Sequence, residues 1–160
     1  MNKPVKIDQT DRKILSYLIK DARKPYLEIA RECGISGAAI HQRIRKLEKK
    51  GVIKGSKFKV EPQNIGYEIC AFVGIYLDQA HMYKNAVSEF QNIPEIVECH
   101  YTTGEYAVLL KIYCRSNQHL MDILVNNIQN INGVARTETF ISLEETIKRD
   151  IEVNGAEGNY

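Results

Sequence analysis

Apolar residues recur at helical spacing three times within the first fifty positions. Over residues 8–20, Ile14, Leu15, Leu18 and Ile19 share one side. Asp8 precedes them and Asp11 adds an acid in the first turn, where carboxylates meet the unpaired N–H groups and positive end of a helix. A second helix is predicted over 25–33: Pro25 suits the first helical position because its missing donor would be unpaired there, and Leu27, Ile29, Ala30 and Cys33 supply the apolar side. Gly34 ends that helix, Ile35 plugs the core, and Ser36 caps a third helix over 37–50, whose Ile40, Ile44 and Leu47 follow i, i+4, i+7.

Further along, the period shortens. Residues 57–60 predict a short strand, and Pro62 and Gly66 punctuate a linker. Residues 69–77 place Ile69, Ala71, Val73, Ile75 and Leu77 on one face and Phe72 and Tyr76 on the other, which predicts a strand covered on both sides. There follow a helix over 82–91 with Ala86, Val87 and Phe90 inward, strands over 96–103 and 106–114, a helix over 117–130 with Leu120, Ile123, Leu124 and the adjoining Ile131 as core candidates, and a strand over 134–143. Gln91-Asn92-Ile93 is echoed by Gln129-Asn130-Ile131, each where a helix hands over to a strand. The order βαββαβ is the ferredoxin-like arrangement. The expected fold class is therefore α+β: a winged-helix-like helix-turn-helix domain with a linker strand over 1–61, a ferredoxin-like domain over 62–153, and a disordered tail at 154–160.

Charge sharpens the division. The formal net charge is only +2, but residues 1–60 carry 16 Lys/Arg against 6 Asp/Glu, whereas residues 61–160 carry 6 against 14. A basic first half attracts a polyanion; the acidic second half repels one. A merely solvated helix face would intersperse acids, yet Glu48 is the only acid between Gly34 and Val60.

Two short helices, a glycine turn and a third helix with a basic face make a helix-turn-helix, whose last helix enters the major groove and presents its N-terminal residues to base edges. Gly37, Ala38, His41 and Gln42 are the base-facing candidates: glutamine bonds adenine in two places, histidine donates to guanine, and small residues allow close approach. Ser36 stands at the helix start. Arg45 suits guanine or phosphate, and Lys46, Lys49 and Lys54 suit phosphate.

Other chemistry is sparse. Cys33, Cys70, Cys99 and Cys114 are widely spaced, with no paired ligands and no zinc-finger histidines, so they read as reduced thiols, with Cys33, Cys99 and Cys114 in apolar-patterned elements. No metal or cofactor is expected. No stretch approaches the roughly 20 apolar residues of a membrane span, and Met1-Asn2-Lys3-Pro4 is followed by no apolar leader core, so a soluble cytoplasmic protein is expected.

Over nearly the whole length of the chain runs a series of short segments: Ile7-Asp8, Asp11-Arg12-Lys13-Ile14-Leu15, Asp21-Ala22-Arg23, Glu28-Ile29-Ala30, Gly34-Ile35-Ser36, Arg43-Ile44-Arg45-Lys46-Leu47-Glu48 and Gly51-Val52-Ile53-Lys54-Gly55. In these the chain resembles the Lrp/AsnC, or feast/famine, family of transcriptional regulators. In the second half, Val97-Glu98-Cys99-His100, Thr103-Gly104-Glu105-Tyr106 and Gly133-Val134 with Thr137 and Thr139 are similar to the family's sensing module. The resemblance implies a homodimer built through the second domains, often stacked into tetramers or octamers, that binds promoter DNA under the control of an amino acid. It departs from the family's pattern at Pro25, usually a Ser or Thr cap, and at Gly104-Glu105-Tyr106-Ala107, where the family usually has an acid at the second and fourth positions.

An amino-acid effector presents a carboxylate beside an ammonium, and the loop Thr102, Thr103, Gly104, Glu105 and Tyr106 offers backbone donors for the first and an acid for the second. The plainer reading is a strand connection with a permissive glycine. A rival of another class is an enzyme similar to the sirohaem decarboxylases, which share this architecture. That chemistry asks for histidines and arginines around a tetra-anionic substrate, and the acidic second half offers only His81, His100, His119, Arg115, Arg136 and Arg149. No catalytic residues are expected, and the chain reads as a regulator, not an enzyme.

Overall fold

A computed structural model describes residues 5–153. Within them the chain forms two compact units, one of residues 5–58 with 147–153 and one of residues 59–146.

In the first unit, α1 (Gln9–Lys20), α2 (Tyr26–Cys33) and α3 (Gly37–Lys49) enclose a small core of Ile14, Ile29, Ala30, Ile40 and Ile44. The start of α1 is a reciprocal capping box: the Asp11 amide donates to Asp8 Oδ1 at 2.7 Å and the Asp8 amide donates to Asp11 Oδ2 at 3.3 Å, which satisfies two otherwise orphaned donors. Gly34 takes the left-handed conformation (φ 66°) that closes α2, and the Ser36 hydroxyl accepts from the Ala39 amide at 3.2 Å to start α3.

Four details differ from the pattern's expectation. Pro25 is the N-cap of α2, not its first helical residue, because its ψ of 132° is extended. Ile19 and Leu27 are exposed, since a core this small closes over one helix face only. Residues 57–60 form no strand among the described residues, and Phe58 and Val60 face solvent. Residues 147–153, expected with the second domain, group with the first unit, where the Arg12 guanidinium donates to the Val153 carbonyl at 3.3 Å. The expected tail at 154–160 lies outside the described residues.

The second unit is a four-stranded antiparallel sheet in the order β2-β3-β1-β4, with β1 (Ile69–Leu77), β2 (Ile96–Tyr101), β3 (Val108–Cys114) and β4 (Val134–Ser142). Helix α4 (Tyr83–Phe90) and α5 (Asn117–Asp122), which runs on as a π-helical turn at Ile123–Ile128, cover one face. That face holds the core: Ala71, Val73 and Ile75 of β1, Val108, Leu110, Ile112 and Cys114 of β3, and Ala86, Phe90, Leu120, Ile123 and Ile128 from the helical layer. The echoed isoleucines play equivalent parts: the Ile93 amide donates to the Phe90 carbonyl and the Ile131 amide to the Ile128 carbonyl, at 3.1 and 3.2 Å. Both side chains are buried.

The opposite face carries no helix. Phe72 lies between Lys111 and Phe140 in register, and Leu109, Tyr113, Tyr76 and the Tyr106 ring complete a half-apolar surface. Lys111 is buried within it, paired with Glu145 at 3.1 Å, its ammonium 5.7 Å from the Phe72 ring centre and 5.6 Å from that of Tyr113. Burial works against its charge, but the Glu145 hydrogen bond together with the charges of Tyr113, Glu145 and Cys70 outweighs it and holds the amine above the ordinary lysine range. The cysteine expectation holds in part. Cys114 is buried, and burial pushes its thiol up to about 11, whereas Cys99 is exposed because β2 is an edge strand, and Cys33 is half-buried at the end of α2.

Arg43 of α3 reaches Asp8 at 2.6 Å and Asp11 at 2.7 Å. Its hydrogen bond, then that of the Asp11 amide, holds the Asp8 carboxyl below the ordinary aspartate range. A carboxylate whose pKa is lowered by folding contributes stability above its unfolded value and loses that contribution as pH falls through the folded one. The melting-temperature gap between wild type and Arg43→Gln should therefore be widest near neutrality and should narrow below about pH 4, as carboxylates protonate. Thermal melts of both proteins across that range check it; a constant gap would show that the pair contributes no charge-linked stability.

Candidate nucleic-acid interface and effector loop

The apolar positions of α3 turn Ile40, Ile44 and Leu47 into the core, so the remaining positions face out. His41, Gln42, Arg45, Lys46 and Lys49 are all exposed and, at offsets of one, four, five and eight residues from His41, lie along one side of the helix. Ala38 is exposed at its first turn, and Lys54 lies beyond its end. The Tyr26 ring meets His41 edge-on at 5.3 Å between centroids, which holds the imidazole at the helix surface. The Ser36 hydroxyl is engaged in capping, and a Cβ on Gly37 would come 2.8 Å from Cδ2 of the exposed Leu27, a flexible end that can move aside.

The loop between β2 and β3 is a tight connection. The Thr102 amide donates to the Ala107 carbonyl at 3.1 Å, and the Thr102 hydroxyl donates to the Tyr106 carbonyl. Thr103, Gly104 and Glu105 are exposed. Gly104 has no positive φ, and a Cβ there would meet open space, so the fold does not require glycine at this position. Tyr106 turns onto the helix-free face of the sheet: a Cβ on Gly74 would lie 2.5 Å from its ring, so only glycine leaves room for it.

Around Tyr106 lies a group of residues whose meeting the one-dimensional pattern does not signal. The Tyr76 phenol donates to Glu105 at 2.8 Å and lies 3.3 Å from Glu138, and the Arg136 guanidinium stacks 4.0 Å from the Tyr76 ring centre. Burial, then the Glu105 hydrogen bond, push the Tyr76 phenol up to about 12, and burial followed by Glu138 raises Tyr106. Alternation along β4 puts Arg136 and Glu138 on one face, but only the sheet register sets them beside Tyr76 and Gly74. Glu105, expected to face a ligand ammonium, is thus already an acceptor for Tyr76.

Elsewhere, α4 and β2 border a groove of about 260 Å³ lined by Tyr83, Val87, Phe90, Val97 and Cys99 among others. Among the described residues no group of His, Cys, Asp and Glu has metal-binding geometry, and no helix is long and apolar enough to cross a membrane.

Comparison with known proteins gives matches to both units. Residues 7–54 match a winged helix-turn-helix DNA-binding model, and residues 70–151 match the Lrp/AsnC ligand binding domain. The regulatory protein AsnC of Haemophilus influenzae is 41% identical over 145 residues, which span 91% of this chain and 97% of that protein. The structure of E. coli AsnC superposes with a TM-score of 0.89 at 38% identity, covering 92% of this chain and 99% of that one. A feast or famine regulatory protein from M. tuberculosis, complexed with L-methionine, superposes with a TM-score of 0.81 at 29% identity over 88% of this chain and 95% of that one.

Proposed function

The chain belongs to the Lrp/AsnC family of transcriptional regulators, and from that premise we propose that it reads a specific double-stranded DNA site as a homodimer whose DNA binding or assembly is set by a small amino acid. Its relatives are named regulatory proteins and it carries a DNA-binding helix-turn-helix, so it is a regulator and not an enzyme of the sirohaem-decarboxylase kind.

The observation that carries the DNA reading is the exposed side of α3, where Arg45, Lys46 and Lys49 outnumber the one acid, Glu48. Gln42, His41 and Ala38 lie at its N-terminal half for base edges, and Arg45, Lys46, Lys49 and Lys54 continue it for guanine and phosphate. Pairing through the helix-free sheet face is supported by its half-exposed aromatic residues in a unit of fewer than a hundred residues, a size at which a core is marginal alone. Two-fold symmetry then gives a palindromic site with half-sites about one helical turn, or a multiple, apart. Further stacking into tetramers or octamers and a cytoplasmic location belong to the same reading.

The effector reading rests on the loop Thr102, Thr103, Gly104, Glu105 and Tyr106 and on the relative crystallised with L-methionine. With Ala107 in place of a second acid and Glu105 held by Tyr76, the ammonium relies on the loop's carbonyls and a Glu105 that exchanges partners. Differential affinity for two states sets the size of any response, so a shift of about 1–3 kcal/mol is expected, not an absolute switch. Calorimetry with the twenty amino acids on wild type and on Gly104→Trp tests it. The fold tolerates tryptophan there, because the space above Gly104 is open. Heat from one amino acid that vanishes in the variant supports the loop; equal heat in both places the ligand elsewhere, and no heat ends the sensing claim while leaving DNA binding intact.

A further inference from the structure

Of the four basic residues within α3, Arg45, Lys46 and Lys49 project into solvent and Arg43 does not. Arg43 lies on the inner flank of the helix, where a single guanidinium nitrogen donates to Asp8 Oδ2 at 2.6 Å and to Asp11 Oδ1 at 2.7 Å. Those two acids are the capping box of α1, and each also accepts from the other's backbone amide. Asp11 is 5% exposed, so its carboxylate has little recourse to water and depends on this partner. The middle of α3 is thereby tied to the first turn of α1.

The buried packing of α3 is apolar: Ile40 and Ile44 meet Ile14, Ile29 and Ala30. Apolar contacts are non-directional and tolerate small rotations of one helix on another, whereas a pair of charge-assisted hydrogen bonds to two fixed acceptors does not. Base reading is sensitive to such rotations, because side chains such as Gln42 need to meet two base atoms at once.

We propose that Arg43 is a positioning residue: with Asp8 and Asp11 it forms a clamp that fixes the angle of α3 for base reading and is not itself a DNA contact. The proposal rests on the DNA-binding reading above. It separates the cations of α3 into two kinds, with Arg45, Lys46 and Lys49 directed at DNA and Arg43 directed at the domain.

The clamp makes a prediction opposite in sign to simple electrostatics. Neutralising an acid in a DNA-binding unit ordinarily strengthens attraction to DNA. Asp11→Asn should instead weaken binding to the specific site, because it loosens the clamp, while the near-isosteric amide keeps an oxygen to accept from the Asp8 amide. The test uses the full chain as wild type, Asp11→Asn, Arg43→Gln and Arg43→Lys. Each is titrated against a duplex selected by the wild type and against a scrambled duplex, at several salt concentrations, below the melting temperature of every variant.

Expected are losses of about tenfold or more in affinity for the selected duplex in Asp11→Asn and Arg43→Gln, with partial rescue in Arg43→Lys. Affinity for the scrambled duplex and its salt slope should hold. Arg43→Gln lowering the salt slope by about one per half-site would make Arg43 a phosphate contact and overturn the clamp. Tighter binding of Asp11→Asn to both duplexes would overturn it also. Variants that melt lower yet keep the wild-type ratio between the duplexes would leave only a stabilising contact and reject positioning. A wild type that does not separate the two duplexes rejects sequence reading itself, and the clamp with it.

Discussion

Phe140→Glu should split the assembly into folded monomers. The phenyl ring lies on the helix-free face opposite Phe72 in register and is 47% exposed in the single chain, so the folded unit tolerates a polar side chain there. A partner sheet covering that face would not. Losing a buried phenylalanine forfeits about 1.5–3 kcal/mol. Desolvating an unpaired carboxylate adds several more, and in an isologous interface both changes occur twice. Glu138, two positions away on the same face, offers no relief, since it has the same charge. A total of about 4 kcal/mol or more corresponds to a thousandfold rise in the dissociation constant. Sedimentation at micromolar concentration should report a dimer or larger species for wild type and a monomer with unchanged circular dichroism for the variant. A variant that still sediments with wild type would move the interface to another face.

Arg45→Ala carries the second large effect. Arg45 is exposed, is centred on the basic side of α3, and lies one turn beyond the base-facing candidates His41 and Gln42. A bidentate guanine contact or a charge-assisted phosphate contact is worth about 1–3 kcal/mol, and a dimer makes it twice, so affinity should fall about a hundredfold or more. Lys84→Ala, an exposed lysine in α4 of the second unit, removes the same charge and should leave binding within about twofold. Equal losses in the two variants would mean that net charge, and not the surface of α3, governs binding. Gln42→Ala should shift the preferred bases more than the overall affinity.

The fold was legible because its elements are locally consistent. In the first unit Asp8 starts α1, Gly34 ends α2 and Ser36 starts α3, and in the second β1 and β3 have the period that their buried face requires. What escaped the pattern is non-local. Residues 57–60 alternate like a strand, but strand formation needs a neighbour, which local spacing does not supply. Cys99 sits in an apolar pattern yet is exposed, because edge position is a property of strand order. Residues 147–153 carry no period that assigns them to either unit.

The candidate sites divide in the same way. Amphipathicity identified the outward side of α3, since a helix that buries Ile40, Ile44 and Leu47 has only one other side to present. The inward task of Arg43 was hidden, because an arginine in a basic helix looks like its neighbours until Asp8 and Asp11 are found 2.6 and 2.7 Å away. Around the loop, Gly104 drew attention as a glycine although the fold leaves it free, while the glycine with a steric duty is Gly74, thirty positions earlier and beneath the Tyr106 ring.

The central claim, that the basic side of α3 reads DNA, is tested most directly by the salt dependence of binding. Fluorescently labelled duplexes selected by the purified protein from a random-sequence library would be titrated from about 50 to 200 mM salt, and the logarithm of the association constant plotted against the logarithm of salt concentration. Release of counterions by Arg45, Lys46, Lys49 and Lys54 from both protomers predicts a straight line with a slope of about −6 to −8, set by about 0.9 per phosphate contact, and hence a thousandfold or greater loss of affinity across that range. No enrichment of any sequence from the library, or a salt-insensitive affinity for the sequences recovered, would contradict it.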